Sequence, residues 1–262
     1  MLNTPVPIEF LHELADAADN ETMKHFRSGF SVDNKLEQGF DPVTVADRDA
    51  ELAIRALINE RYPDHGIIGE EHGRMNEDSE NVWVLDPVDG TRAFITGIPL
   101  WGSLIGLRHK GKAQLGMLSQ PYGRERYWGD TQTAWYKGPV GERQLKVRSC
   151  SDLSQAIMLT TTPTLFTESE RPAYDNIERQ VRLARYGTDC YGYAMVAAGC
   201  ADCVIESGLQ IYDIHALIPI LEGAGALVTN WTGGNCENGG RVVVSGDPRL
   251  HDQLLKELSQ VK

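Results

Sequence analysis

The sequence predicts an α/β protein built on two sheets, an α+β first half followed by an α/β second half. Two patterns carry this. Residues 82–129 fall into strand-length apolar runs broken by Gly and Pro, the mark of an antiparallel sheet. After residue 150, apolar runs of strand length alternate with longer helical stretches, the mark of a sheet covered by helices. At 262 residues the chain can bury a substantial interior, as one large domain or two lobes sharing a core.

The elements follow in order. Ile8, Leu11, Leu14, Ala15, Ala18 and Phe26 recur at helical spacing, so residues 8–27 form an amphipathic packing helix. A polar, glycine-containing segment leads to Asp41-Pro42. Thr44 and Asp47 have capping-box spacing before RDAELAIRALINERYP, a second helix stopped by Pro63. HGIIGEEHG is a short strand entering a turn, and Val82–Asp86 is a buried strand. TRAFITG could open a helix. The polar stretch 138–150 marks a boundary between lobes. Beyond it, 156–163 is a strand, 168–184 one helix, 191–199 a helix, and 203–207 a strand. A single helix then spans 214–226, followed by strands at 227–231 and 241–246 and a helical tail.

A formal net charge of −12 argues against non-specific binding to nucleic acid or an anionic membrane. A phosphate substrate stays open, because a bound cation reverses the local sign. The five cysteines are sparse and odd in number, which points to a reducing, cytoplasmic setting. Cys200 and Cys203 have CxxC spacing with no second pair, so they read as structural, partly buried thiols. The first residues lack the pattern of a signal peptide, and no apolar run reaches membrane-spanning length.

The chemistry concentrates at VWVLDPVDGT. A buried strand ends in Asp86 and Asp89, with Pro87 restricting the turn and Gly90 allowing close backbone approach. Two adjacent carboxylates raise each other's pKa unless a cation lies between them, and hard oxygen ligands suit Mg2+. Alone, the pair could equally cap turns and face water. Glu70, Glu71, Asp47 and Asp213 also sit at the ends of apolar elements. Each has a bland alternative as a cap or a solvated acid, but together they point to one pocket.

The segments DPVTVADRDAE, GEEHG, WVLDPVDGTRAFITGIPLWG and YDIHALIPILEGAGALVTNWTGG resemble the inositol monophosphatase superfamily of Mg2+-dependent, lithium-sensitive phosphomonoesterases. FITGIPLWGSLI, LSQPYGRERYWG and the long 186–226 segment are similar to its histidinol-phosphatase branch, which serves histidine biosynthesis. The resemblance implies a layered αβαβα sandwich of the inositol monophosphatase and fructose-1,6-bisphosphatase type. It implies an N-terminal lobe over 1–145 with most metal ligands, a C-terminal lobe over 146–262 with substrate residues and the last metal aspartate, and commonly a homodimer. It implies two to three Mg2+ ions per site: one on Glu70, Asp86 and the Val88 carbonyl, one on Asp86, Asp89 and Asp213, and a weaker third near Glu70. Glu70 would activate water, Thr91 would bind that water with Asp47 behind it, and the Gly90 and Thr91 amides would hold phosphate. No covalent phosphoenzyme is implied.

The chain departs from inositol-hydrolysing members around Asp213, where it reads YDIHAL, and His215 is taken as a packed or solvated residue. Glu206 stands where the family places a substrate-binding glutamate, and Asp189 where inositol-type members carry a small residue. Two carboxylates beyond the metals suit a cationic leaving group such as histidinol. Asp189 could instead cap a helix, and Glu206 could simply end a strand. Arg185 could pair with either acid, and Gln210 is a further substrate-binding candidate. The alternatives are an inositol, sugar or nucleotide monoester phosphatase, or a non-catalytic metal-binding relative. The last would show a lost ligand, yet Glu70, Asp86, Asp89, Thr91 and Asp213 are all present.

Overall fold

The computed structural model describes residues 5–28, 32–34 and 42–261. Most of the polar segment before Pro42, Asp41 included, lies outside the described residues. Helix α1 (Ile8–His25) leads to a small antiparallel pair, β1 (Val32–Asn34) and β2 (Pro42–Thr44). Helix α2 (Val45–Arg61) follows, with Thr44 as its N-cap and Asp47 completing the capping box.

Eight strands form the first sheet: β3 (Gly66–Gly69), β4 (Gly73–Met75), β5 (Asn81–Asp89), β6 (Gly102–His109), β7 (Lys112–Gln120), β8 (Glu125–Gly129), β9 (Ala134–Gly138) and β10 (Gly141–Gln144). Short helix α3 (Thr91–Ile95) interrupts them after β5. The sheet order is β10-β9-β8-β7-β6-β5-β3-β4, and only β3 and β5 run parallel. β9 and β10 were not foreseen, and β10 lies inside the polar stretch read as a boundary. All four of its residues are exposed, so no apolar alternation marks it as a strand.

The second sheet begins with β11 (Ile157–Thr160). Helix α4 (Arg171–Glu178), β12 (Leu183–Tyr186), helix α5 (Asp189–Ala197) and β13 (Cys203–Leu209) follow. Helices α6 (Ile211–Ile214) and α7 (Leu217–Gly223), strands β14 (Leu227–Asn230) and β15 (Gly240–Ser245), and helix α8 (Pro248–Leu258) complete the chain. The strand order is β12-β11-β13-β15-β14. Two sequence readings are corrected. The stretch 168–184 is not one helix, because Leu183–Tyr186 pairs in parallel with β11 as an edge strand. The stretch 214–226 is not one helix opened by Asp213, because α6 starts at Ile211 and ends before α7.

Side-chain alternation along the strands stacks the layers. Trp83, Leu85, Ile105, Leu107, Leu115 and Met117 face Phe10, Leu14, Ile54 and Ile58 of α1 and α2. The opposite face offers Leu104 and Leu118 to Ile214, Leu217, Leu221 and Tyr193, which also meet Val204, Val242 and Val244 of the second sheet. On that sheet's far face, Met158, Cys203, Ile205 and Val243 pack on Tyr174 and Ile177 of α4 and Leu250, Leu254 and Leu258 of α8. The layers therefore run α, β, α, β, α, as the family resemblance implies.

One device seats the middle layer. Gly106, Gly116 and Gly129 lie side by side across β6, β7 and β8. A Cβ on Gly116 would stand 1.8 Å from the Ala216 carbonyl oxygen, and one on Gly129 2.6 Å from that of Pro219. The α6–α7 corner thus rests directly on sheet backbone. His215 is fully buried in that corner, so it is a packed residue. Burial, reinforced by Arg108, pushes its pKa down to about 3, so it stays neutral. This seating carries Asp213 to the ends of β5.

Candidate active site

Along a regular strand, residues three apart point to opposite faces. Asp86 and Asp89 escape this rule because β5 bulges between them. Asp86 pairs with Leu104 and Asp89 with Gly102, three steps on one strand against two on the other. Pro87 has no N–H to lose there, and its carbonyl accepts the Ser103 hydroxyl at 2.7 Å. Gly90 follows at φ +90, and a Cβ would meet the Leu100 carbonyl at 3.0 Å. The bulge therefore turns both aspartates to one side, where Asp213 joins them. Carboxylate oxygens from the three lie within 4.8 Å of one another.

Each aspartate is held by a backbone amide. Val88 N–H donates to Asp86 at 3.1 Å, Cys190 N–H to Asp89 at 2.5 Å, and Gln210 N–H to Asp213 at 2.6 Å. Asp213 is thus the third residue of α6, and Gln210 its exposed N-cap. Glu70 enters through strand register: Gly69 pairs with Leu85, so the next residue reaches Asp86 and hydrogen-bonds it.

Burial first, then Glu70, Asp89 and Asp213, hold Asp86 well above the usual carboxylate range. Burial first, then Asp189 and Asp213, do the same for Asp89. Such crowding is costly without a counter-cation. Oxygens on opposite sides of a Mg2+ ion stand about 4.2 Å apart, twice the usual Mg–O distance. The observed span and the all-oxygen donor set therefore fit a divalent cation.

The cluster opens into a cleft of about 310 Å³ lined by Asp89, Gly90, Thr91, Asp189, Glu206 and Asp213, among others. Asp189 does not cap α5. It is the first helical residue, behind Thr188, and sits at φ 42, a left-handed conformation that costs a non-glycine residue energy. Burial pushes Asp189 up to about 6, opposed by a Thr161 hydrogen bond and the Arg92 charge. Glu206 is buried on β13 just before a second bulge. It accepts the Thr161 N–H at 2.5 Å, and its Oε2 has no hydrogen-bond partner among the described residues. Burial pushes Glu206 up to about 8.

Three candidates differ in place or partner from what was expected. Arg185 is exposed on edge strand β12 and does not line the cleft; Arg92 is the cation beside Asp189. Thr91 spends its hydroxyl hydrogen on the Val88 carbonyl at 3.0 Å, not on Asp47. Asp47 instead accepts from the Thr44 N–H and hydroxyl, as its capping box requires. Burial pushes Asp47 up to about 7, with Glu71 and Glu70 adding to the rise. Arg92 and Thr161 were missed. Thr161 follows an apolar strand, the same position that flagged the acids. Cys200 is exposed and Cys203 buried, so the CxxC pair is not two partly buried thiols.

The inositol monophosphatase family model matches residues 6–262. The chain belongs to the inositol monophosphatase family. It is 43% identical over 256 residues to the chloroplastic bifunctional phosphatase IMPL2 of Arabidopsis thaliana, covering 94% of this chain and 72% of that protein. It is 32% identical to a histidinol-phosphatase of Chlorobaculum parvum, covering 93% of each. Among solved structures, an inositol monophosphatase from Zymomonas mobilis superposes with TM-score 0.85 at 37% identity, covering 96% of this chain and 97% of that one. Among the described residues no helix is long and apolar enough to cross a membrane.

These shifts set a pH dependence. Asp47 and Glu206 have folded pKa values raised above their unfolded ones. Their stabilisation is complete below the unfolded values and lost as pH rises through about 7 and about 8. His215 has a lowered folded pKa, so it costs stability only as pH falls below 6.5. The metal-free protein is therefore expected to lose Tm between about pH 6.5 and about pH 8. Cation binding must expel protons from Asp86 and Asp89, so the Mg2+-induced rise in Tm should grow as pH rises. Thermal melts with EDTA and with Mg2+ check both; a pH-independent Mg2+ effect would contradict the proton linkage.

Proposed function

We propose that this family phosphatase is a Mg2+-dependent histidinol-phosphate phosphatase. The observation that carries the substrate is the placing of Asp189 and Glu206 in the same cleft as the Asp86–Asp89–Asp213 cluster. The similarity to a histidinol-phosphatase over 93% of both chains supports it.

In this reading Asp86, Asp89 and Asp213 hold divalent cations, with Glu70 and the Val88 carbonyl alongside. When bound, the metal supplies positive charge to the phosphoryl oxygens and lowers the pKa of water. Glu70 takes the proton of the attacking water, and the Thr91 hydroxyl orients it. The Gly90 and Thr91 amides donate to phosphate oxygens, and water attacks phosphorus directly as the ester P–O bond breaks; the departing alkoxide takes a proton from solvent and leaves as the alcohol, with no covalent intermediate on the protein. Asp47 fixes the start of α2 near Glu70. Asp189 and Glu206 receive the cationic alcohol. Glu206 keeps its proton near neutral pH until an ammonium or imidazolium arrives, which stabilises its charged form.

The likeness to a protein named inositol monophosphatase favours a second reading, an inositol phosphate ester as substrate. Phosphate release from histidinol phosphate, inositol 1-phosphate and 3′-phosphoadenosine 5′-phosphate, with and without Mg2+, separates them. Histidinol phosphate is expected to give the highest kcat/KM, with Mg2+ required. A higher value for either other ester would end the substrate assignment and leave the metal assignment standing.

A further inference from the structure

Three successive amides in the turn between β3 and β4 have assigned acceptors. Glu70 N–H donates to the Leu85 carbonyl at 3.2 Å. Glu71 N–H donates to Glu51 Oε2 at 2.7 Å, and His72 N–H to Glu51 Oε1 at 3.1 Å. Glu51 belongs to α2 and is fully buried. One helical turn on, Arg55 Nε donates to Glu51 Oε1 at 2.7 Å, and its Nη2 to the Gly73 carbonyl at 2.5 Å. One turn earlier, the Arg48 carbonyl meets His72 Nε2 at 3.1 Å. One face of α2 thus grips the chain from Glu71 to Gly73, directly after Glu70. Gly69 is part of the fit, since a Cβ there would lie 2.0 Å from Glu51 Oε1.

We propose that Glu51 is a positioning residue for Glu70, fixing the two peptide amides that directly follow the acid that faces Asp86. This rests on the role given to Glu70 above. A purely structural purpose explains the arrangement poorly. β4 is a three-residue edge strand, exposed over most of its length. Burying a charged pair there returns little stability, because desolvation offsets the attraction. What the pair does secure is orientation. The carboxylate offers two acceptors to two adjacent amides, and only an acid does so. A glutamine at 51 would present one oxygen and turn its NH2 group on the other amide.

The test uses Glu51→Gln, Glu70→Gln and the double variant, with whichever of the three esters above the parent protein hydrolyses fastest. Two quantities are read: kcat against KM, and the Mg2+ concentration giving half of the Mg2+-induced Tm shift. Glu51→Gln is expected to lower kcat by about 10–100-fold with KM nearly unchanged, and to raise the half-shift Mg2+ concentration by about tenfold. The double variant is expected to lose no more than Glu70→Gln alone, because Glu51 acts through Glu70. Unchanged kcat and Mg2+ requirement in Glu51→Gln, with Glu70→Gln inactive, overturns the positioning role alone. Losses that multiply in the double variant overturn it as well. A fully active Glu70→Gln ends the reading of Glu70 and the proposal with it. If Glu51→Gln does not fold, Glu51→Asp, which keeps the charge but withdraws the oxygens, decides by the same readouts.

Discussion

Asp86→Asn is expected to lower kcat/KM by about a thousandfold or more and to abolish the Mg2+-induced rise in Tm. Metal-supplied charge stabilisation is worth several kcal/mol, and each 1.36 kcal/mol is about tenfold in rate. Asp86 lies nearest to the centre of the cluster: it bonds Glu70 and feels both Asp89 and Asp213. The same substitution removes one acid from a buried, like-charged group. The metal-free variant should therefore melt at or above the temperature of the metal-free parent, above all at alkaline pH, where the parent carries the most repulsion. Paired melts with EDTA and with Mg2+, beside turnover, test this. A metal-free variant that melts well below the parent would mean that Asp86 is a structural hydrogen-bonding residue, and the cation assignment would lose its main support.

Those features of the site that depend on local chain geometry were legible in the sequence. The Thr44–Asp47 capping box, the Gly90 turn and the acids after apolar runs each follow from residues a few positions apart. The layer order was legible only through family resemblance, because alternation says that a strand has two faces but not what covers each. What escaped depends on contacts distant in sequence. β12, LARY, is mostly exposed and shows no apolar alternation, and only pairing with β11 makes it a strand. The bulge in β5 is invisible until Leu104 and Gly102 stand opposite it. Arg92 and Thr161 become site residues because separate elements converge on Asp189. Arg185 was chosen for its charge and nearness in sequence. A strand running along the sheet edge leaves it exposed instead.

The sharpest test of substrate choice is Asp189→Asn. It removes the charge while keeping the side-chain size, and asparagine tolerates the left-handed backbone at φ 42 better than alanine would. A hydrogen bond to a charged group is worth about 1.5–3 kcal/mol, so kcat/KM on histidinol phosphate should fall by about 10–100-fold. On inositol 1-phosphate, whose alcohol is neutral, it should change little. The alternative explanation, damage to the metal site, has its own readout. After burial, Asp189 is the first cause of the raised pKa of Asp89. Neutralising it makes Asp89 easier to ionise but also withdraws a charge that attracts the dication, so the Mg2+-induced Tm shift is read beside turnover. A loss confined to the cationic ester, with the Mg2+-induced Tm shift intact, can then come only from the leaving-group side of the cleft. Equal losses on both esters would place Asp189 on the phosphate side, and the cationic-substrate argument would fall while the aspartate cluster kept its role.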